Sequence, residues 1–271
     1  MRHISVFITL LLIPTLLFAT HPVLAPPPGE KMLIPVALEN SPGAFGALWS
    51  SDFWIRNDGD QSVDVIQNVC YLLANPIGCT IPAKTNVHRS ALPIDSASKV
   101  PAALIYVSAE GAKDVLFSLR VRNVNRASLA GGTELPVVRE NEFHTTPILF
   151  INVPMESNFR PMLRIYDVDA HELAEFRITV MPFSDGPVPD VADQRIVRIE
   201  RSHFDDSPFV PGYAQISDLL PLSERVSILV EPLTPGLRFW SFVSVTNNES
   251  QEITTIVPPG RESKGLASEK R

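Results

Sequence analysis

The chain has 271 residues, enough for one or two domains, with 45% hydrophobic and 20% charged side chains, a balance that supports sizeable cores. Its net charge of −7 and its lack of basic clusters exclude nucleic acid as an expected partner, because the phosphate backbone rewards proteins that neutralise it. The 25 prolines, about twice average usage, disfavour helices and suit strand ends, edges and turns, so an all-β chain is expected.

Residues 1–25 read as a secretory signal: Arg2 and His3 are polar, Ile4–Ala19 is apolar, and Val23-Leu24-Ala25 offers small residues for cleavage. The apolar run is shorter than the roughly 20 residues of a membrane-spanning helix, and Pro14 interrupts it. Pro26 hinders cleavage after Ala25, so an uncleaved anchor is the alternative. Loss of the segment removes Arg2 and no acid, taking the net charge from −7 to −8. The expected address is secreted, periplasmic or cell-surface, with no integral membrane association after cleavage. Residues 26–30 form a Pro-rich leader.

"LWSSDFWIRNDGDQSVDVIQNVC", residues 48–70, sets two alternating runs about Asn57-Asp58-Gly59-Asp60, a hairpin signal, because Asp and Gly tolerate the positive φ of tight turns. Trp49 and Trp54 are five positions apart, so one regular strand points them to opposite faces. We assign Trp49 to the end of the core and Trp54 to the outer face. Cys70 and Cys79 flank the turn formers Asn75-Pro76 and Gly78, so they can face each other across a hairpin and close as a disulfide in an oxidising compartment. Two buried free thiols are the alternative.

"VLFSLRVRN" (115–123) places Val115, Phe117, Leu119 and Val121 on one face, with Ser118, Arg120 and Arg122 opposite. "LAGGTELPVVRENEF" has paired glycines and no alternation and reads as a linker. Beyond it the opening returns in altered form: "WSSDFWIRN" (49–57) aligns with "HTTPILFIN" (144–152), and "VLFSLRVRN" with "FWSFVSVTN" (239–247). These matches, with a turn signal at "YDVDAHE" (166–172), predict a tandem duplication with extra material in the second copy. The expected domains are 31–138 and 139–258, the second with an insert around 182–212, followed by a charged, disordered tail at 259–271. Many short strands with frequent turns indicate sandwiches or barrels.

"IPVALENSPGAFGALWSSDFWIRNDGDQSVDV", followed by "LFSLRVRN" and "RFWSFVSVTNNES", resembles secreted bacterial proteins with tandem β-sandwich modules of immunoglobulin-like or fibronectin III-like character. The resemblance implies two tandem immunoglobulin-like β-sandwich domains after a signal peptide. It carries no active-site residues, because the class has no settled activity.

Group by group, the sequence offers little chemistry. His88, His144, His171 and His203 sit in no metalloprotease or nucleophile-elbow motif, and no phosphate-cradling glycine motif occurs. His203 near Asp205 and Asp206 could form a base, but no serine is marked out for it. Asp167, Asp169 and Glu172 crowd one turn, yet Ala170 and His171 stand where a calcium loop wants glycine, so a solvated turn is expected. Alternation sends Trp54, Trp240 and Phe242 outward, where aromatics mark partner or glycan contacts unless a neighbouring domain covers them. The expectation is therefore a non-catalytic, exported structural or adhesive protein with no cofactor, metal or catalytic residue. The alternatives are a module binding an extracellular protein or glycan, and a hydrolase with a site in the second-domain insert.

Overall fold

The computed structural model describes residues 25–67, 80–89, 100–125, 132–182, 193–200, 207–220 and 222–258. The signal segment up to residue 24, the Cys70–Cys79 pair, the group of His203, Asp205 and Asp206, and the tail lie outside the described residues, as do 183–192 of the insert.

The described chain is all-β, with short 3-10 turns at Ala44–Gly46, Ala112–Asp114 and Glu140–Glu142. The strands of its first half are β1 (Glu30–Ile34), β2 (Ser41–Pro42), β3 (Leu48–Asn57), β4 (Val63–Ile66), β5 (Thr80–Ile81), β6 (Thr85–Arg89), β7 (Ala103–Val107), β8 (Val115–Asn123), β9 (Thr133–Leu135) and β10 (Val138–Arg139). Those of the second half are β11 (Ile148–Pro154), β12 (Phe159–Asp167), β13 (Leu173–Pro182), β14 (Asp193–Glu200), β15 (Gly212–Ile216), β16 (Arg225–Pro232), β17 (Phe239–Asn247) and β18 (Ile253–Ile256).

Four antiparallel sheets result. The first has the order β10-β1-β7-β4-β5, and the second β2-β3-β8-β9 with β6 also on β3. The third is β15-β12-β17-β18 and the fourth β11-β16-β13-β14. Period-two patterning drives each pairing. In β3, Phe53 and Ile55 are buried while Trp54 and Arg56 between them are exposed. The first and second sheets join Met32, Ile105 and Val107 to Phe53, Leu119 and Val121 in one buried cluster. The third and fourth join Leu163, Ile165 and Val243 to Phe150, Phe176 and Ile228 in another.

The halves share one strand order. Among the described residues, β1-β7-β4-β5 corresponds to β11-β16-β13-β14, and β6-β3-β8-β9 to β15-β12-β17-β18. Register sharpens the match. β3 pairs with β8 from Trp49↔Asn123 to Asn57↔Val115, and β12 with β17 from Phe159↔Asn247 to Asp167↔Phe239. β8 and β17 thus correspond at an offset of 124 (247 − 123), as their sequences predict. β3 instead corresponds to β12 at an offset of 110 (159 − 49), which corrects the expected match with 144–152. That segment leads into β11, the counterpart of β1. The error is physical in origin: alternating bulky residues ending in Asn satisfy many strands, whereas the true counterpart, "FRPMLRIYD", keeps only the apolar alternation and an acidic relative of Asn.

β1 and β7 are buried on both faces, since Met32, Leu33 and Ile34 and the run Leu104–Val107 are all 3% exposed or less. Partners directly opposite in a ladder share a face, so Lys31, Leu33, Leu104 and Tyr106 point away from the first-half core. Their face meets the outer face of the third sheet, where Tyr166, Trp240 and Phe242 join the first-half cluster rather than their own. The four sheets therefore stack in the order second, first, third, fourth.

Candidate functional site

The join between the halves is built on Tyr166. This side chain is fully buried, and its ring lies 6.2 Å from Trp240, 6.4 Å from Phe242 and 5.4 Å from Tyr213. Its hydroxyl donates to the Pro35 carbonyl at 2.5 Å, and the Tyr106 hydroxyl donates back to the Pro208 carbonyl at 2.9 Å. The Leu104 amide donates to the Phe209 carbonyl at 2.7 Å, and the Phe209 ring meets Tyr106 edge-on at 5.7 Å. Trp240 and Phe242 do point away from their own core, but they are 4% and 0% exposed. The expected contact with an outside partner at these two residues gives way to contact within the chain, because the first sheet covers them.

Polar groups bracket this apolar seam. Asp169 accepts from Arg238 Nε at 2.8 Å and Nη2 at 2.6 Å, and from Lys31 Nζ at 2.8 Å. Arg238 Nη1 also donates to Glu140 at 2.7 Å, so both halves and the segment between them share one charge network. Burial alone would raise the Asp169 carboxyl, but hydrogen bonds from Arg238 and Lys31 outweigh it and hold the group at about 2, down from 3.8. Tyr106 is pushed up to about 12 by burial and by the nearby Asp169 and Glu140 charges. The solvated acidic turn expected at 167–172 is thus corrected. Asp167 is fully buried, accepting from the amides of Asp169 at 3.1 Å and His171 at 2.6 Å, and Asp169 is occupied by cations. Among the described residues no group of three or more His, Cys, Asp or Glu side chains could hold a metal ion. No helix among them is long and apolar enough to cross a membrane.

Among the described residues, two surfaces away from the seam bear on binding. On the outer face of the second sheet Trp54 is 46% exposed and stacks on the His88 ring at 4.3 Å. Asp52 beside it accepts from Arg122 Nε at 2.7 Å, so a flat aromatic surface is rimmed by charge.

The other surface is a cleft of about 580 Å³ beside the seam. Its first-half wall includes Leu38, Gly43 and Trp49, and its second-half wall includes Arg160, Met162 and Arg164. Trp49 is half-buried at the end of the first-half core, and its indole lies against Gly43, where a Cβ would collide with it. Arg164 Nη1 donates to Ser244 Oγ at 2.8 Å, with its guanidinium 5.4 Å from the Phe242 ring centre. Arg160 Nη2 donates to Gln251 at 3.2 Å, and its guanidinium lies 5.1 Å from the ring centre of Phe45. Phe45 is 71% exposed and has a φ of +54°, a conformation costly for a bulky side chain. Sequence reasoning passed over Arg160 and Arg164. The signal was period two: 160, 162 and 164 fall opposite the core-facing Leu163 and Ile165.

The chain matches no family model, no curated protein and no solved structure.

Proposed function

We propose that this is an exported, non-catalytic protein of two tandem immunoglobulin-like sandwiches, acting as a rigid structural or adhesive unit outside the cytoplasm. The observation that carries this reading is the seam. Tyr166, Trp240 and Phe242 are buried against the first half, and the Lys31–Asp169–Arg238–Glu140 network ties the same join, so the halves move as one body. A fixed two-sandwich unit presents its surfaces at constant separation, which suits mechanical or adhesive work. The segment 1–25 supports export, and an oxidising address would suit a Cys70–Cys79 disulfide.

The exposed Trp54 favours a second reading, a module that contacts an extracellular protein or glycan through the stacked Trp54–His88 pair. Cell fractionation of a C-terminally tagged chain, followed by a panel of ester, glycoside and peptide substrates on purified protein, tests the first reading. The expected outcome is a shortened chain outside the cytoplasm with no turnover. Unprocessed chain held in the cytoplasm, or saturable turnover, would overturn it. A glycan array probed with wild type and Trp54→Ala tests the second: hits lost in the variant support it, and the absence of hits that depend on Trp54 removes the glycan arm.

A further inference from the structure

The seam covers only one end of the outer face of the third sheet. At the other end this face, carrying Met162, Arg164 and Ser244, floors the cleft, and Leu38 and Trp49 stand across from it. Of the eleven arginines whose side chains are described, nine lie within 4.0 Å of a carboxylate. The remaining two are Arg160 and Arg164, four positions apart on one strand and both in this cleft.

Their environment sharpens the contrast. No Asp or Glu lines the cleft among the described residues, although the chain has a net charge of −7. Both guanidiniums are half-buried, and the Nε–H of each is buried without an acceptor among the described residues. A cation taken partly out of water normally gains a carboxylate, and here the compensation among the described residues is one amide oxygen, the Ser244 and Tyr213 hydroxyls and two aromatic rings. Holding the Phe45 ring over Arg160 also costs a left-handed backbone, a form of local strain that clusters at ligand-binding positions. The rest of the wall is mainly apolar, and about 580 Å³ lies within the range of small-molecule sites.

We propose that this cleft binds a small carboxylate with an apolar body. The carboxylate sits against Arg164 and Arg160, and the apolar body lies along Met162, Leu38 and Trp49. Guanidinium–carboxylate hydrogen bonds in a partly dry cleft supply the specificity, and the apolar wall supplies area.

The probe is decanoate, below its micellar concentration, with 1-decanol and decylamine as neutral and cationic counterparts. Calorimetry and tryptophan fluorescence on the full chain read binding. We expect saturable 1:1 binding of decanoate, at least about tenfold weaker binding of decanol, and none of decylamine. Arg164→Gln and Arg160→Gln should each weaken decanoate about tenfold or more, while Arg164→Lys should weaken it less. Met162→Trp, at a half-exposed position, should fill the cleft and abolish binding with its melt unchanged, so a variant remains informative if an arginine change impairs folding. Absence of saturable decanoate binding, equal affinity for decanol and decanoate, or unchanged affinity in Met162→Trp would each overturn the proposal.

Discussion

Asn57 and Asp167 occupy the same place in the two halves, 110 positions apart (167 − 57). Each is fully buried at the end of a strand, and each accepts the amide of the residue two positions on, Gly59 at 2.9 Å and Asp169 at 3.1 Å. Asn123 and Asn247 repeat the arrangement at the ends of β8 and β17, accepting from the amides of Asn125 at 3.2 Å and Glu249 at 2.8 Å. Side chains of this type bond to their own backbone and so turn the strand back. The Asn that ends these sequence motifs is a turn device.

The two buried caps differ in one respect that can be tested. Asn57 also donates from Nδ2 to the carbonyls of Gln61, Ile81 and Pro82, whereas Asp167 only accepts. Asn57→Asp should therefore cost about 3 kcal/mol or more, since it strands carbonyls and buries a charge against them. Asp167→Asn keeps an acceptor for the Asp169 amide and should cost about 1–2 kcal/mol. Urea midpoints compare them, and equal losses would mean that the two caps are not distinguished by donation.

The seam should respond to pH at both extremes. Asp169 titrates at about 2 in the folded chain against 3.8 ordinarily, so its contribution is present above about pH 4 and is lost as pH falls toward 2. Discounted for solvent screening at this partly exposed site, that contribution is about 1 kcal/mol. Tyr106, at about 12 against 10.0, behaves in the opposite sense: its contribution is present below about pH 10 and is lost as pH rises through 12. Melting temperature against pH should fall at both ends, and Asp169→Asn should flatten the acid limb and shift the alkaline one to lower pH, because it removes one of the charges that raise Tyr106.

Truncating the join should be costly. Trp240→Ala removes a nearly buried indole and should destabilise by about 3–5 kcal/mol. Tyr166→Phe keeps the ring but strands the Pro35 carbonyl, for about 1–2 kcal/mol. The second half expressed alone would expose Tyr166, Trp240 and Phe242 together, so residues 139–258 should melt lower and associate more than the full chain, with recovery on adding residues 26–138. Thermal melts and light scattering check this.

At the other end of the first half, Trp49→Ala should cost about 3 kcal/mol, and Trp54→Ala should stay within about 0.5 kcal/mol. Gly43→Ala should also destabilise, although its φ of −117° suits any residue, because the new methyl group meets the Trp49 indole. If Gly43→Ala melts like wild type while Trp49→Ala does not, the indole has room to move aside.

Much of this architecture was legible in the chain. Period two placed Phe53 and Ile55 inward and Trp54 outward, and separated Phe239 from Trp240 and Phe242, because alternation depends only on local geometry. The "YDVDAHE" turn was found in its true place even though the strand before it was matched wrongly. What covers Trp240 was not legible, since an outward aromatic reads the same whether water or another sheet lies above it. The burial of Asp169 between Lys31 and Arg238 was hidden for a related reason: its partners stand 138 and 69 positions away. The cleft arginines were overlooked because an arginine in a strand looks solvated until its missing carboxylate is noticed.

The stacked arrangement raises a question of growth. A join that places one half's outer face upon the other's is not closed by symmetry, and a repeat of this kind could in principle continue into an open array. The equivalent positions in the first half show what stops it. Where the second half has Tyr166, Trp240 and Phe242, the first has Arg56, Leu116 and Ser118, with Asp52 and Arg122 paired nearby. On that face Trp54 and Leu116 stand among Asp52, Arg56 and Arg122, so it lacks the continuous aromatic surface on which the seam is built, and chemistry rather than shape disfavours a further unit there. Arg56→Tyr, Leu116→Trp and Ser118→Phe together should recreate the apolar seam face there and make the protein's apparent size rise with concentration more steeply than that of wild type.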